Sequence, residues 1–251
     1  VGAAARDIHF LHVHGIRPGR ATVDVDFALL APSWDAFNDV MTDITRDKGY
    51  TRDEKLQHRA HSASGVMFDL IPFGAIEEPG REIRWPPDFD HVMSTVEFQD
   101  ALDAAQVCRI RERPLLEIRI ASIPGLAVLK LIAWADHFPS RAKDAMDLQY
   151  LLRNYDAGQY DRLFSEEENI VALATSQYEM AVARLLGRDV GRMVTAPTRQ
   201  VVREILEAEM NIDGQMRLVS DMLIGSEDGA DVVLGLLKEF RNGLNDEVSE
   251  R

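Results

Sequence analysis

The spacing of apolar residues changes near residue 121, and that change restricts the fold more than any other feature of the chain. Before it, apolar residues come in short β-branched or aromatic runs such as Val23–Leu30 and Val66–Phe73, separated by turn-forming residues. From Ser122 onward they recur at helical spacing, punctuated by Gly158, Gly187, Pro197, Gly214 and Gly225. A run of strands followed by a run of helices predicts an α+β architecture, with a mixed β-sheet and flanking helices over residues 1–121 and a helical part over 122–251. The individual expectations are helices over 3–12 and 33–48, strands over 22–30 and 65–73, a loop over 79–90, and strands within 91–97 and 107–120. Helices follow at about 122–136, 140–154, 169–187, 198–210, 214–224 and 229–242.

The first apolar strand contains an anomaly. In Gly19-Arg20-Ala21-Thr22-Val23-Asp24-Val25-Asp26-Phe27, two aspartates stand at alternate positions. Residues i and i+2 of a strand share a face, so two like charges lie side by side. Three readings accommodate them. The face can be a solvated sheet edge. A calcium loop is a second reading, but EF-hand spacing is absent. In the third, magnesium held against phosphate oxygens cancels the repulsion. Asp69, within Val66-Met67-Phe68-Asp69-Leu70-Ile71, adds a third carboxylate. Val66, Phe68 and Leu70 are expected to face the core and Asp69 the opposite side. Such a group could complete a metal site or activate an attacking hydroxyl. Gly2 directly precedes a helix, whose first N–H groups and positive dipole end favour phosphate.

The order Gly2, Asp24-x-Asp26, Asp69 resembles the nucleotidyltransferase superfamily with its polymerase-β-like fold. More narrowly, VGAAARD, GRATVDVDF, FDLIPFG, IRWPPD, SIPGLAVLKLIAWADH and RAKDAMDLQYLL together resemble the AbiEii/AbiGii toxin-like nucleotidyltransferases. That resemblance spans roughly residues 1–154. It implies magnesium-dependent transfer of a nucleoside monophosphate from a nucleoside triphosphate to an acceptor hydroxyl, with tRNA or another RNA as candidate acceptor. Gly2, Ala3 and Arg6 would cradle the triphosphate, with Arg20 and Thr22 orienting it. Asp24, Asp26 and Asp69 would hold one or two magnesium ions, for which manganese can substitute. Lys130 would reach the phosphates or base, with Asp144 in the family's helical acidic motif and Asp147 one turn on. The resemblance also implies a toxin with an antitoxin partner, in the bacterial cytoplasm. Ala3 stands where much of the superfamily has serine or glycine, and the strand expected ahead of Gly2 is absent. The natural N-terminus is therefore expected to lie upstream of Val1. Two other readings stay open: a catalytically silent nucleotide- or partner-binding module, and transfer to a small molecule as in antibiotic-modifying enzymes.

Charge bears on the partners. The net charge is −14. Up to residue 154 there are 18 basic against 23 acidic residues, and beyond it 10 against 19, giving −5 and −9. This is the wrong sign for non-specific DNA or RNA binding. An RNA acceptor would need a local basic route, for which Arg109, Arg111 and Arg113 on one strand face are the candidates. Cys108 is the single cysteine, so neither an intrachain disulfide nor a cysteine-rich metal site is available. No apolar stretch is long enough for a membrane span. His9, His12 and His14 lack single-face spacing and read as structural or surface groups.

Overall fold

The structure, a computed structural model, describes residues 1–17, 22, 24–137, 139–156, 162–166, 168–174, 177–211 and 213–246. Its centre is a four-stranded sheet: β1 (Asp24–Leu30), β2 (Tyr50–Arg52), β3 (Arg59–Ser62) and β4 (Met67–Phe73), in the order β1-β4-β3-β2. β1 and β4 are parallel, whereas β3 is antiparallel to both of its neighbours, so the sheet is mixed as expected.

The two faces of this sheet bury different things. On one side lies α2 (Trp34–Lys48), started by Ser33, whose hydroxyl accepts from the Ala36 amide at 3.3 Å, and ended by Gly49 at φ 69°. Its Phe37 and Met41 pack with Phe68 and Leu70 of β4 in a small aromatic core. Val66 does not join them. It falls before β4 and is 46% exposed, because the strand begins one residue later than the apolar run. The other face carries Asp26 and Asp69. It is approached by α1 (Gly2–Asp7), which continues as a π-helical stretch over Ile8–Val13, and by α4 (Ile123–Asp136).

α4 is apolar nearly all round, as befits a helix packed on several sides. Ser122 caps it by accepting from the Gly125 amide at 3.3 Å. Around it lie α5 (Ala142–Asn154), α7 (Tyr178–Met193), α8 (Ala196–Glu209) and α10 (Ala230–Asn245), with the short α6 (Glu168–Leu173) and α9 (Arg217–Met222). One contiguous core runs from Ala5 and Phe10 through Phe73 and α4 to Leu244, so the sheet and the C-terminal helices share it. Leu206, Leu218 and Met222, apolar positions of the acidic C-terminal part, are buried there. Polar ties reinforce this packing: Trp134 Nε1 donates to Asp221 at 2.8 Å, and the Thr195 amide donates to Asp100 at 3.1 Å. α7 and α10 approach closely enough that a Cβ at Gly187 or Gly243 would lie 2.0 Å from a carbonyl oxygen of the other helix.

Several expectations need correction. The stretch 79–90, read as loop for its prolines and glycines, contains β5 (Glu82–Trp85), paired with β6 (His91–Ser94). Ile83 and Trp85 alternate inward, a period-two signal masked by Pro79-Gly80 and Pro86-Pro87 on either side. The strand expected up to residue 97 stops at Ser94, and α3 (Phe98–Asp103) follows. The helix expected over 169–187 is divided between α6 and α7. Arg109, Arg111 and Arg113 do not share a strand face. β7 (Gln106–Arg111) and β8 (Leu116–Ile120) form a hairpin with a register shift between Arg109 and Arg111, and Arg113 sits in its turn. Arg109 is paired with Glu117 at 3.2 Å, and Arg111 donates to the Pro114 carbonyl. A bulge breaks the alternation on which the sequence argument relied.

Candidate active site

Parallel pairing of β1 with β4 sets Asp26 directly opposite Asp69. The beginning of α1 abuts the same point. The Val1 nitrogen donates to the Asp26 carbonyl oxygen at 3.0 Å. A Cβ on Gly2 would lie 1.8 Å from Asp26 Oδ2, and Gly2 has φ 69°. Only glycine fits there, on both counts. Gly2, Asp26, Asp69, Lys130 and Asp144 all line a single, partly open cavity. Burial pushes the Asp26 carboxyl above the ordinary aspartate range. Lys130 opposes that shift, while Asp24 and Asp69 add to it.

Two ion-pair systems surround these groups. Asp69 is held by Arg59, its register partner on β3, through two parallel bonds of 2.7 Å each. Deeper in the cavity wall, Lys130 Nζ bonds Asp144 at 2.6 Å and Asp147 at 3.0 Å. Arg141 holds the second oxygen of Asp144 at 2.5 Å, and Arg6 holds Asp147. Burial alone would pull the Lys130 ammonium down, but Asp144 and Asp147 outweigh it and hold it above the ordinary lysine range. An ammonium has three N–H donors. Two go to Asp144 and Asp147, and the third remains for the cavity that Lys130 lines.

The other expected residues are placed differently. Asp24 is half-buried on the strand edge, with Thr22 Oγ1 donating to its Oδ1 at 3.0 Å. Arg6 is turned away from the cavity. It is 2% exposed and engaged by Asp7 and Asp147, because α1 directs it toward α5. Ala3 is buried beneath the helix start and does not line the cavity. Arg20 lies outside the described residues. His9 is buried with its Nε2 2.8 Å from the Ala121 carbonyl oxygen, and His12 and His14 stand at the surface.

The chemistry of the donor set suits magnesium: Asp24 and Asp26 offer hard oxygens, and the charge crowding at Asp26 is what a cation would relieve. Among the described residues, however, no group of three or more metal-ligating side chains is already assembled. Arg59 engages both oxygens of Asp69.

The family model described as nucleotidyl transferase AbiEii toxin, of type IV toxin–antitoxin systems, matches residues 11–243. The chain belongs to that family. Comparison with curated proteins and with solved structures returns no match. The AbiEii match continues far beyond residue 154, where the motifs had run out, and takes in the helices that cover α4. It begins after Gly2, Ala3 and Arg6. Membership gives nucleotidyl transfer within a toxin–antitoxin system as the broad activity, and an antitoxin as the counterpart that such a system implies. No helix among the described residues is long and apolar enough to cross a membrane.

Sequence reasoning missed Arg59, His58 and Glu97, all of which belong to the cavity or its immediate support. Arg59 sits in a strand too short and polar to show a period. Trp85, Asp136 and His137 were within quoted motifs, IRWPPD and WADH, but nothing in their spacing connected them to the aspartates.

Proposed function

We propose that this AbiEii-family chain moves a nucleoside monophosphate from a nucleoside triphosphate to an acceptor hydroxyl, with RNA as the acceptor class. The observation that carries this reading is the pairing of Asp26 with Asp69 at the floor of a cavity whose wall holds Lys130. Asp24 and Asp26 would hold magnesium, which would neutralise charge on the phosphate oxygens as the transfer proceeds. The acceptor oxygen bonds to the α-phosphorus, the bond to the bridging oxygen breaks, and pyrophosphate leaves. Lys130 offers its third N–H to the phosphates. Asp144 and Asp147 keep it charged and fix its direction. Asp69, oriented by Arg59, receives the proton of the attacking hydroxyl.

The charge of the surface restricts how RNA would arrive, because residues 155–251 carry −9. A second reading has one observation in its favour. The bidentate Arg59–Asp69 pair leaves the third carboxylate committed, as it would be in a module that binds nucleotide without transferring it. Incubation with each labelled nucleoside triphosphate, magnesium and total RNA separates the two. Labelled RNA that vanishes in Asp26→Asn supports transfer. Nucleotide binding with no labelled product on any acceptor supports the silent module.

A further inference from the structure

The cavity lining includes a buried group that transfer chemistry does not use. Glu97, at the start of α3, lines it and is 2% exposed. Its Oε2 is buried with no hydrogen-bond partner, and no cation pairs with the side chain among the described residues. Arg81, whose charge acts on Glu97, has its Nε 2.7 Å from Glu77 and forms no ion pair with Glu97. The other charges nearby are acidic, and they are already satisfied. Asp136 accepts from the Ser94 amide at 2.9 Å, and Asp100 accepts from Thr195. A buried carboxyl oxygen without a partner detracts from stability, and its presence points to a ligand.

The surroundings indicate what that ligand is. Trp85, Phe98, Met93 and Ile71 line the same cavity, as do His91 and His137, whose rings stack at 5.5 Å. Flat apolar and aromatic walls suit a planar ring. Lys130 and the Asp26–Asp69 pair line the cavity as well. A cavity that brings Lys130 and the aspartates together with aromatic walls and a buried carboxyl oxygen lacking a partner suits a nucleotide with its base at Glu97.

We infer that Glu97 marks a nucleobase subsite, in which its Oε2 hydroxyl donates to an acceptor atom on the edge of the base. The inference rests on the nucleotide reading above and adds which residue meets the base. Burial, with Asp136 and Asp100 adding to it, pushes the Glu97 carboxyl well above the ordinary glutamate range, in keeping with a neutral, donating group.

The test compares magnesium-dependent affinity for the four nucleoside triphosphates with that for inorganic tripolyphosphate, in wild type, Glu97→Ala and Glu97→Gln. In wild type at least one nucleoside triphosphate binds about tenfold or more tightly than tripolyphosphate. Glu97→Ala loses about tenfold for that nucleotide and leaves tripolyphosphate unchanged. Glu97→Gln, whose amide N–H₂ is also a donor, stays within about threefold of wild type. Ligand-free melting temperature does not fall in Glu97→Gln, because Oε2 makes no bond within the fold and the amide keeps the other oxygen as an acceptor. A nucleotide-to-tripolyphosphate ratio that is the same in wild type and Glu97→Ala overturns the subsite while leaving the phosphate site standing. A Glu97→Gln variant as weak as Glu97→Ala overturns the donor role. Absence of binding by nucleotide and tripolyphosphate alike overturns this inference and the nucleotide reading together.

Discussion

Replacing Lys130 by alanine should destabilise the protein markedly, although the helix itself would prefer alanine. Lys130 is 8% exposed and bridges Asp144 and Asp147, which are 3% and 2% exposed. Its removal leaves two buried carboxylates with one fewer cation. Breaking a buried pair by deleting one partner costs about 3–5 kcal/mol. Here each carboxylate keeps another cation, Arg141 for Asp144 and Arg6 for Asp147, so the lower end, about 3 kcal/mol, applies. The gain in helix propensity is a few tenths of a kcal/mol at most and does not change the sign. For a chain of this size that loss corresponds to a fall of roughly 6–12 °C in melting temperature. Calorimetry on the ligand-free protein measures it. Adding Asp147→Asn to Lys130→Ala should recover part of the loss, because it removes one of the stranded charges. The raised Lys130 pKa sets the pH dependence: its contribution is complete below the unfolded-state value of 10.5 and disappears only as pH rises through the folded-state value. A Lys130→Ala protein melting within about 1 °C of wild type at neutral pH would show that the network is not structural. Nucleotide affinity must be read well below the variant's melting temperature, so that loss of fold is not mistaken for loss of a phosphate contact.

Two further outcomes are expected. Asp26→Asn should raise the melting temperature of the metal-free protein at neutral pH, since it removes a carboxylate disfavoured by burial, Asp24 and Asp69, and should abolish any stabilisation by magnesium; an Asn variant still stabilised by magnesium as wild type is would refute Asp26 as a ligand. Gly243→Ala should destabilise by more than about 2 kcal/mol, against the roughly 1 kcal/mol that alanine gains in a helix, because its Cβ would meet the Arg184 carbonyl oxygen at 2.0 Å and α7 and α10 would have to separate; a melting curve at or above wild type would disprove that close approach.

Much of the site was readable from order and spacing. The alternation in Asp24-x-Asp26 placed both carboxylates along one side of β1, and the apolar run around Asp69 placed it in a second strand. What spacing could not supply was pairing. Asp26 faces Asp69 because β1 and β4 are parallel in that register, and a shift of one residue would have turned Asp69 toward α2. Arg59 was invisible for the same reason: it meets Asp69 only across the β3–β4 ladder. Arg6 was expected at the triphosphate from its place in a motif, and no spacing could show that Asp147, 141 residues away in the chain, engages it.

The sequence by itself determined the local features: the switch from strand to helix near residue 121, the alternation of Asp24 and Asp26, and a glycine at position 2. These depend on periodicity and backbone conformation, which operate over a few residues. Tertiary structure decided which charges meet. It turned Lys130 from a lone cation on an apolar helix into the centre of a buried network with Asp144 and Asp147. It also left Glu97 Oε2 without a partner beside aromatic walls. The physical reason is that the strength of an ion pair or the cost of an unmet polar atom depends on burial and on partners brought from distant segments, and neither is encoded in local spacing.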